Sequence, residues 1–583
     1  MTIALGITQS LTGQSWRWRG GGNLSGDPEA LVADLLRARG CPDHDVERQR
    51  RPTIRDFMPD PSLFRDMDAA AERLADAVIS GEQIAIFGDY DVDGATSAAL
   101  LIRLLRDLGL EARAYIPDRL LEGYGPSADA LLRLGAEGCT LIVTVDCGAQ
   151  AFEALGSARD AGIDVIVVDH HQCATSLPRA LALVNPNRLD ECADAAAHGH
   201  LAAVGVAFLL GAALIRRLRA LGRFNGSTEP NLLDLLDIVA LGTVADVAQI
   251  RGLNRAFVAQ GLKVMARGKN IGLAALLRAS GLKRAPLCHD LGFALGPRIN
   301  AGGRVGAADL GVRLLTTTDP IEAEEIAARL DELNVERRAI EASVQEEAQD
   351  QIDRQDNAAV VVAASAGWHP GVIGIVAGRL KERTGRPAIV IALDENGQGK
   401  GSGRSITGVD LGAAILAARD EGHLIAGGGH AMAAGLTVAA DKVGMLTAWL
   451  NERLAGAVER ARGDRALMID TMVAPGGVTP GLVEALDGAG PYGNGWPAPR
   501  IATGHARVIK ADIVGNGHVR AILAGDDGRS IKSVAFRQAD QPLGQAILGC
   551  GRDRRLWVTG RAKIDDWSGR ASAELHVDDA AWA

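Results

Sequence analysis

The sequence predicts an α/β protein: two strand-and-helix lobes, the first with a doubly wound parallel sheet, joined by one long helix and followed by a small β-barrel. Three observations carry that expectation. Apolar runs of strand length alternate with helical patterns from residue 56 to about 315, and again from about 358 to 454, as crossover-connected parallel strands require. Between them lies a charged segment with apolar positions at three-, four- and seven-residue spacings. Five short strand-like runs separated by turn residues follow residue 465.

The totals set limits. A chain of 583 residues is too long for one core and suggests about three or four domains. Its 47% hydrophobic and 4% aromatic content is that of ordinary globular domains built from Ala, Leu, Val and Gly. The net charge of -10 repels nucleic acid, so such a partner has to be held by local basic patches or through metal. Seven scattered cysteines, none paired at zinc-like spacing, argue against a disulfide framework and for a reducing cytoplasm. The longest apolar run, Leu201 to Ile215, is shorter than the roughly 18 residues of a membrane span, and no basic-then-apolar leader opens the chain. No targeting or membrane segment is expected.

Residues 1–55 are Gly- and Arg-rich around Trp16-Arg17-Trp18-Arg19 and Arg48-Gln49-Arg50-Arg51, and read as a loosely packed, solvated extension; stacking of the Arg and Trp cluster on bases is the other reading. The first strand, Ile84-Ala85-Ile86-Phe87, runs into Gly88-Asp89-Tyr90-Asp91-Val92-Asp93-Gly94, and Thr96 to Leu105 reads as a helix. Three carboxylates therefore sit at a strand-to-helix turn, the edge of a parallel sheet where ligands bind. Crowded acids repel one another unless a hard cation sits among them, although Asp-Gly clusters also make plain turns. A calcium helix-loop-helix is excluded, because its last loop position is Leu100 rather than Glu and a strand precedes it.

Further strands follow at Ala112-Arg113-Ala114-Tyr115-Ile116-Pro117, at Leu141 to Val145 ending in Asp146, and at Asp164 to Val168 ending in Asp169-His170-His171. Leu232 to Val247 begins helical and ends in Gly242-Thr243-Val244-Ala245-Asp246. Each acid alone is as well explained as a helix N-cap or turn residue. Their convergence on one sheet edge, with adjacent imidazoles, favours a metal site, and the carboxylate-rich set suits manganese or magnesium better than zinc.

These motifs together, Asp-Tyr-Asp-Val-Asp-Gly, Thr-Val-Asp-Cys-Gly, Asp-His-His and Ala-Leu-Gly-Thr-Val-Ala-Asp, resemble those of the DHH phosphoesterase superfamily. Within it the chain is most similar to the RecJ-like single-strand exonucleases, through Ile116-Pro117-Asp118-Arg119, Glu122-Gly123-Tyr124-Gly125 and Gly292 to Arg304. The resemblance implies two divalent metal ions, Mn2+ or Mg2+, held by Asp91, Asp93, Asp146, His170 and Asp246, with Asp89 as a further ligand or in the second shell. It implies that His171 faces the scissile phosphate, that Asp169 orients the imidazoles, and that His171, Asp169 and Asp91 form the catalytic set. Tyr124, Arg298 and Arg304 would contact substrate. Ala301-Gly302-Gly303 departs from the family's usual Ala-Ala-Gly by one methyl, which removes no functional group.

The segment after Thr318-Asp319-Pro320 reads as one helix of about 50 Å reaching about Gln355, with Ile326, Leu330, Leu333, Ile340 and Val344 on its apolar face. In the second lobe, Lys400-Gly401-Ser402-Gly403-Arg404-Ser405 and Gly427-Gly428-Gly429-His430 read as Gly-rich turns able to present N–H groups and a guanidinium to phosphate. By resemblance this is a DHHA1-like substrate lobe in which Ser402 and Arg404 hold a 5'-terminal phosphate with His430 nearby. The terminal strands, by the same resemblance, form an OB-fold that binds single strands, with Arg520, Lys532, Arg537, Arg561 and Lys563 for charge and Phe536 and Trp567 for stacking.

The expected organisation is an extension over 1–55, a DHH domain over 56–318, a connecting helix over 319–356, a DHHA1-like domain over 357–456 and an OB-fold over 465–583. The expected activity is metal-dependent 5'-to-3' exonuclease action on single-stranded DNA, in DNA repair and recombination. The protein is expected to be a cytoplasmic monomer, with a single-strand-binding protein or a helicase as its protein partner. The alternatives are a phosphodiesterase of short oligonucleotides or cyclic dinucleotides, against which the 297–304 motif, long helix and barrel argue, and a catalytically dead scaffold, against which the full set of acids argues.

Overall fold

The apolar run Ile84–Gly88 is wholly buried and pairs in parallel on both sides, which makes it the centre of the first sheet in the computed structural model. The structure describes residues 2–22, 24, 27–119, 121–355, 357–463, 465–551, 554–565 and 572–583. They fall into two units, one made of Met1–Gly303, Ala307–Leu330 and Ala466–Ala583, the other of Arg304–Gly306 and Asp331–Arg465.

The first unit holds an all-parallel five-stranded sheet in the order 113–115, 84–88, 141–145, 164–168, 182–184. The chain leaves Ile84–Gly88 for Arg113–Tyr115 on one side and then crosses to Leu141–Val145 on the other. Ile84–Gly88 therefore ends at the topological switch point, where a doubly wound sheet opens a crevice beyond its carboxyl edge. Its odd-numbered neighbours Ala85 and Phe87 pack with Leu131, Leu134 and Leu155 of the helices on one face. Helices Val92–Asp107, Ala203–Ala220 and Leu236–Ala245, all heavily buried, supply the other layer.

A closed five-stranded barrel ends this unit. Ile501–Val514 pairs with His518–Ala524 and Leu556–Asp565, and Ser530–Ala535 and Ser572–Trp582 complete the circuit. Ile501, Val519, Leu523, Ile531, Leu556, Val558 and Leu575 fill it. Of the residues expected to serve nucleic acid here, Phe536 stands half-exposed between the rings of His518 and His576, and Arg520 is paired with Asp512. Trp567 lies outside the described residues.

The extension expected to be solvated is instead packed. Ser15–Trp18 forms a parallel pair with Ala466–Ile469. Trp16 is fully buried and its indole Nε1 donates to Asp579 Oδ2 at 2.8 Å. Helix Pro28–Ala38 places Leu31, Leu35 and Leu36 against the barrel core. Aromatic and leucine burial outweighs the glycine and arginine content that suggested a tail.

Helix Pro320–Ile352 spans 33 residues, about 50 Å, and runs from the first unit into the second. The second unit carries a mixed five-stranded sheet in the order 426–430, 433–439, 398–404, 388–393, 361–366. The two Gly-rich stretches expected as turns are strands, Gln398–Arg404 and Ala426–His430. Their glycines serve close packing: a Cβ at Gly401 would lie 2.6 Å from Leu436 Cδ1, one at Gly403 2.7 Å from Leu411 Cδ2, and one at Gly429 2.4 Å from Ala433 O. Among the described residues no helix is long and apolar enough to cross a membrane.

Candidate metal centre and phosphate pocket

Asp89, Asp91 and Asp93 follow the switch-point strand directly. Asp91 N-caps helix Val92–Asp107, its Oδ1 accepting from the backbone N–H groups of Asp93 at 2.8 Å and Gly94 at 3.1 Å. Capping and a ligand role are thus compatible, since the cap uses one oxygen. Gly94 is required by the tight turn, because a Cβ there would stand 2.4 Å from Asp89 O. Asp93, fully buried, accepts from Ala203 N at 2.7 Å and Val204 N at 3.0 Å at the start of helix Ala203–Ala220. Asp146 follows the neighbouring strand in a left-handed conformation, φ 61°, which Asp tolerates better than most residues.

Asp169 ends the next strand and is the organiser of the Asp-His-His motif. Its Oδ1 accepts from the backbone N–H groups of His170 and His171 and from His171 Nδ1 at 2.8 Å, and its Oδ2 from Ala149 N at 3.0 Å. Burial acts to raise this carboxyl, but the His171 bond and the imidazole charges prevail and bring it down to about 2. Reciprocally, burial acts to lower His171 and its bond to Asp169 outweighs it, so the imidazole is raised. The ring of His170 is oriented differently from expectation: its Nδ1 lies 3.1 Å from Leu201 O rather than on Asp169. A carbonyl can only accept, so Nδ1 carries the proton and Nε2 presents a bare lone pair.

That lone pair lies 3.2 Å from Asp146 Oδ1 and 3.9 Å from Asp93 Oδ2. His170 Nε2 and Asp89 Oδ1 are both buried with no hydrogen-bonding partner. Burial, then the neighbouring Asp91, pushes Asp93 up to about 7. Burial and the surrounding carboxylates likewise raise Asp89, Asp146 and Asp246 well above the carboxylate range. Burial, then His171, pushes His170 down to about 4, so this ring does not supply the missing positive charge. Carboxylates crowded together, with two buried acceptor atoms among them left without a donor, fit a cation.

Two separate groups, Asp89 with Asp91 and Asp146, and Asp93 with His170 and Asp246, each bring one donor atom per residue within 4.8 Å of one another. Together they contain all six residues singled out from the sequence. His171 joins Asp146 and His170 in a third, overlapping group. Tyr124 comes to the same place: its hydroxyl lies 3.1 Å from Asp146 O, to which it donates, and 3.3 Å from His171 Nδ1. Arg298, on helix Gly296–Val305, donates to Ala294 O at 2.7 Å.

In the second unit, Arg404 Nη1 donates to Ser402 Oγ at 3.0 Å and Gly403 O at 2.9 Å. His430 and Arg404 are both registered with Ala433, so they stand in one row across three strands, about 10 Å apart. Helix Ile373–Thr384 begins beside them: a Cβ at Gly374 would lie 3.0 Å from Ser402 Oγ and 3.1 Å from Arg404 Nη2. Arg304 donates to Gly371 O at 2.9 Å, and His369 Nδ1 accepts from Gly371 N at 3.0 Å. Sequence reasoning missed Gly374 and His369. The signal available was His369-Pro370-Gly371 just ahead of a helix start, where N–H groups are left for anions.

Comparison with known proteins agrees with this architecture. Residues 83–243 match the DHH family, N-terminal domain, residues 357–456 the DHHA1 domain and residues 469–579 the RecJ OB domain. The single-stranded-DNA-specific exonuclease RecJ of Dickeya dadantii is 39% identical over 94% of this chain and 95% of its own. RecJ of Thermus thermophilus in complex with Mn2+ superposes with a TM-score of 0.76 at 29% identity, over 94% of this chain and 75% of that one. The same protein in complex with Mg2+ gives 0.70 at 28%, over 94% and 74%. By its domain order and its identity to these full-length relatives, the chain belongs to the RecJ family of DHH proteins.

Proposed function

We propose that the protein is a single-stranded-DNA-specific exonuclease that hydrolyses phosphodiesters from the 5' end and releases 5'-mononucleotides, in DNA repair and recombination. The observation that carries this reading is the meeting of carboxylates and His170 Nε2 at the switch point of the sheet, with Asp89 Oδ1 and His170 Nε2 buried and without a hydrogen-bonding partner. Relatives matched over nearly their whole length are named single-stranded-DNA-specific exonucleases. Asp89, Asp91, Asp93, Asp146, His170 and Asp246 would hold two divalent ions, Mn2+ or Mg2+. When bound, such ions supply Lewis acidity and a nucleophilic water for in-line displacement at phosphorus.

The chain's own residues do the rest. Asp169 fixes His171 with the proton on Nδ1 and favours its charged form, so Nε2–H is available to donate to a non-bridging phosphate oxygen. Tyr124 braces the same ring from its edge, at a centroid distance of 5.9 Å. Ser402, Arg404 and the start of helix Ile373–Thr384 form a donor-rich pocket suited to a terminal phosphate. His430, Arg304 and Arg298 add contacts along the strand. All seven cysteines are unpaired, in keeping with work in a reducing cytoplasm. The protein acts as a monomer, and a single-strand-binding protein or a helicase supplies the strand.

Degradation of long 5'-phosphorylated single-stranded DNA with Mn2+ or Mg2+, beside duplex and 5'-blocked strands, tests the reading. Mononucleotides should leave the free 5' end and Asp91→Ala should abolish their release. Cleavage of dinucleotides alone would replace the exonuclease with a small-substrate phosphodiesterase, and binding without cleavage would leave a scaffold.

A further inference from the structure

Asp246 sits at the end of helix Leu236–Ala245. That end is closed by Val247 N donating to Val244 O at 3.1 Å and Ala248 N to Thr243 O at 3.2 Å, the paired bonds of a Schellman cap. Such a cap places the residue after it in the left-handed region, where glycine is usual. Here the residue is Val247, with φ 60°. A β-branched side chain is strained there, and strain of this kind persists only where the surroundings impose it. Val247 is 64% exposed, so its own burial does not impose it.

What meets this turn is the stretch 489–497, far along the chain but within the same unit. Asn494 Nδ2 donates to Val247 O at 2.7 Å, and Asn494 O accepts from Ile250 N at 2.8 Å. The two backbones are in close approach. A Cβ at Gly493 would lie 2.7 Å from Ile250 Cγ1, and one at Gly495 3.3 Å from Gln249 Cβ. Behind them Arg255, 1% exposed, donates to the carbonyls of Ala489, Gly490 and Pro491 and lies under the Trp496 ring. Ile250, Val258, Cys288 and Trp496 pack together beside it. The loop is thus anchored on one side and offers Asn494 to the strained cap on the other.

We propose that Asn494 is a positioning residue for the metal centre: its carboxamide holds Val247 in the left-handed cap and thereby fixes the Asp246 carboxylate. This rests on Asp246 being a metal ligand. On it, the segment leading into the barrel completes the metal site in addition to any part the barrel has in binding the strand.

The test is calorimetric titration of Mn2+ into the EDTA-treated, dialysed full chain, with circular dichroism as a check on folding. Asn494→Ala should weaken Mn2+ binding about 3- to 10-fold, below the roughly 10- to 100-fold of partners that touch a ligand directly. Val247→Gly adopts the cap without strain, so it should bind Mn2+ as the wild type does, and Asn494→Ala made in that background should cost little. Wild-type affinity in Asn494→Ala, or an equal loss in both backgrounds, would overturn the proposal. Asp246→Ala separates the premise: if it binds Mn2+ with wild-type affinity and stoichiometry, the ligand assignment fails, and the positioning role with it.

Discussion

The metal centre and the Ser402/Arg404 pocket are both polar sites built on a sheet, yet they follow opposite plans. Around Asp93 and Asp146 the carboxyls are pushed up by burial and by one another, and Asp89 Oδ1 and His170 Nε2 face no partner. Two backbone positions there, Asp146 and Val247, lie in the left-handed region. The Ser402/Arg404 strand is regular, and its guanidinium is already braced by Ser402 Oγ and Gly403 O before any ligand arrives. The first site therefore leaves two buried acceptors for a cation to satisfy, while the second is pre-organised by bonds within the chain. Pre-organisation lowers what binding has to order, whereas crowded, partly unpaired carboxylates gain most from a cation placed among them.

The contrast is sharpest for Asp146→Ala. Asp146 shares a group with Asp89 and Asp91 and stands 3.2 Å from His170 Nε2, so its loss should reduce turnover by more than about 100-fold, beyond the effect of an outer partner. It should also abolish the rise in unfolding temperature that Mn2+ gives the EDTA-treated wild type. That rise reflects about 2.7 kcal/mol at 100 times the dissociation constant. Single-turnover kinetics and a thermal melt check the two halves. An unchanged Mn2+ response would mean that the cluster is not the metal site.

Arg404→Ala should act the other way. Loss of a charge-assisted phosphate contact is worth about 1.5–3 kcal/mol, or about 10- to 100-fold in kcat/KM for a 5'-phosphorylated strand. A strand with a 5'-hydroxyl should lose far less, and the Mn2+-induced shift should stay as in the wild type. Equal losses on both strands would show that Arg404 does not read the terminal phosphate.

How much of this was legible in the sequence follows the range of the interactions involved. Asp91, Asp146 and His170 could be found because each follows a buried strand, and parallel strands present their carboxyl ends on one edge. Burial of Trp16 could not, because its partner Asp579 is 563 residues away and local composition says nothing of it. Gly401 and Gly403 misled for a different reason. Glycine signals a turn unless a neighbour's side chain occupies the space of its Cβ, as Leu436 and Leu411 do here. The ring of His170 was credited to the adjacent Asp169, whereas Leu201 O orients it, and only the folded chain brings that carbonyl within reach.

The smallest effect expected is the most pointed, because it sets stability against activity within the metal centre. Without metal, burial and the neighbouring Asp91 act against the Asp89 carboxylate and outweigh its backbone bond from Tyr90 and the charges of His171 and Arg119, and its Oδ1 is buried with no hydrogen-bonding partner. Asp89→Asn keeps the shape, removes a like charge and adds an amide that can donate to a neighbouring carboxylate. The EDTA-treated variant should therefore unfold later than the EDTA-treated wild type, by about 0.5–2 kcal/mol, the range of substitutions that relieve functional strain. With Mn2+ added the order should reverse, because the variant has given up one of the carboxylates proposed to hold the ion. No such crossover is expected at Arg404, whose truncation to Ala removes bonds the free protein already makes. Differential scanning calorimetry of both variants, with and without Mn2+, reads both differences. If Asp89→Asn destabilises the metal-free protein, the carboxylates are not in conflict there, and the centre is held together by interactions within the chain rather than by the ion it awaits.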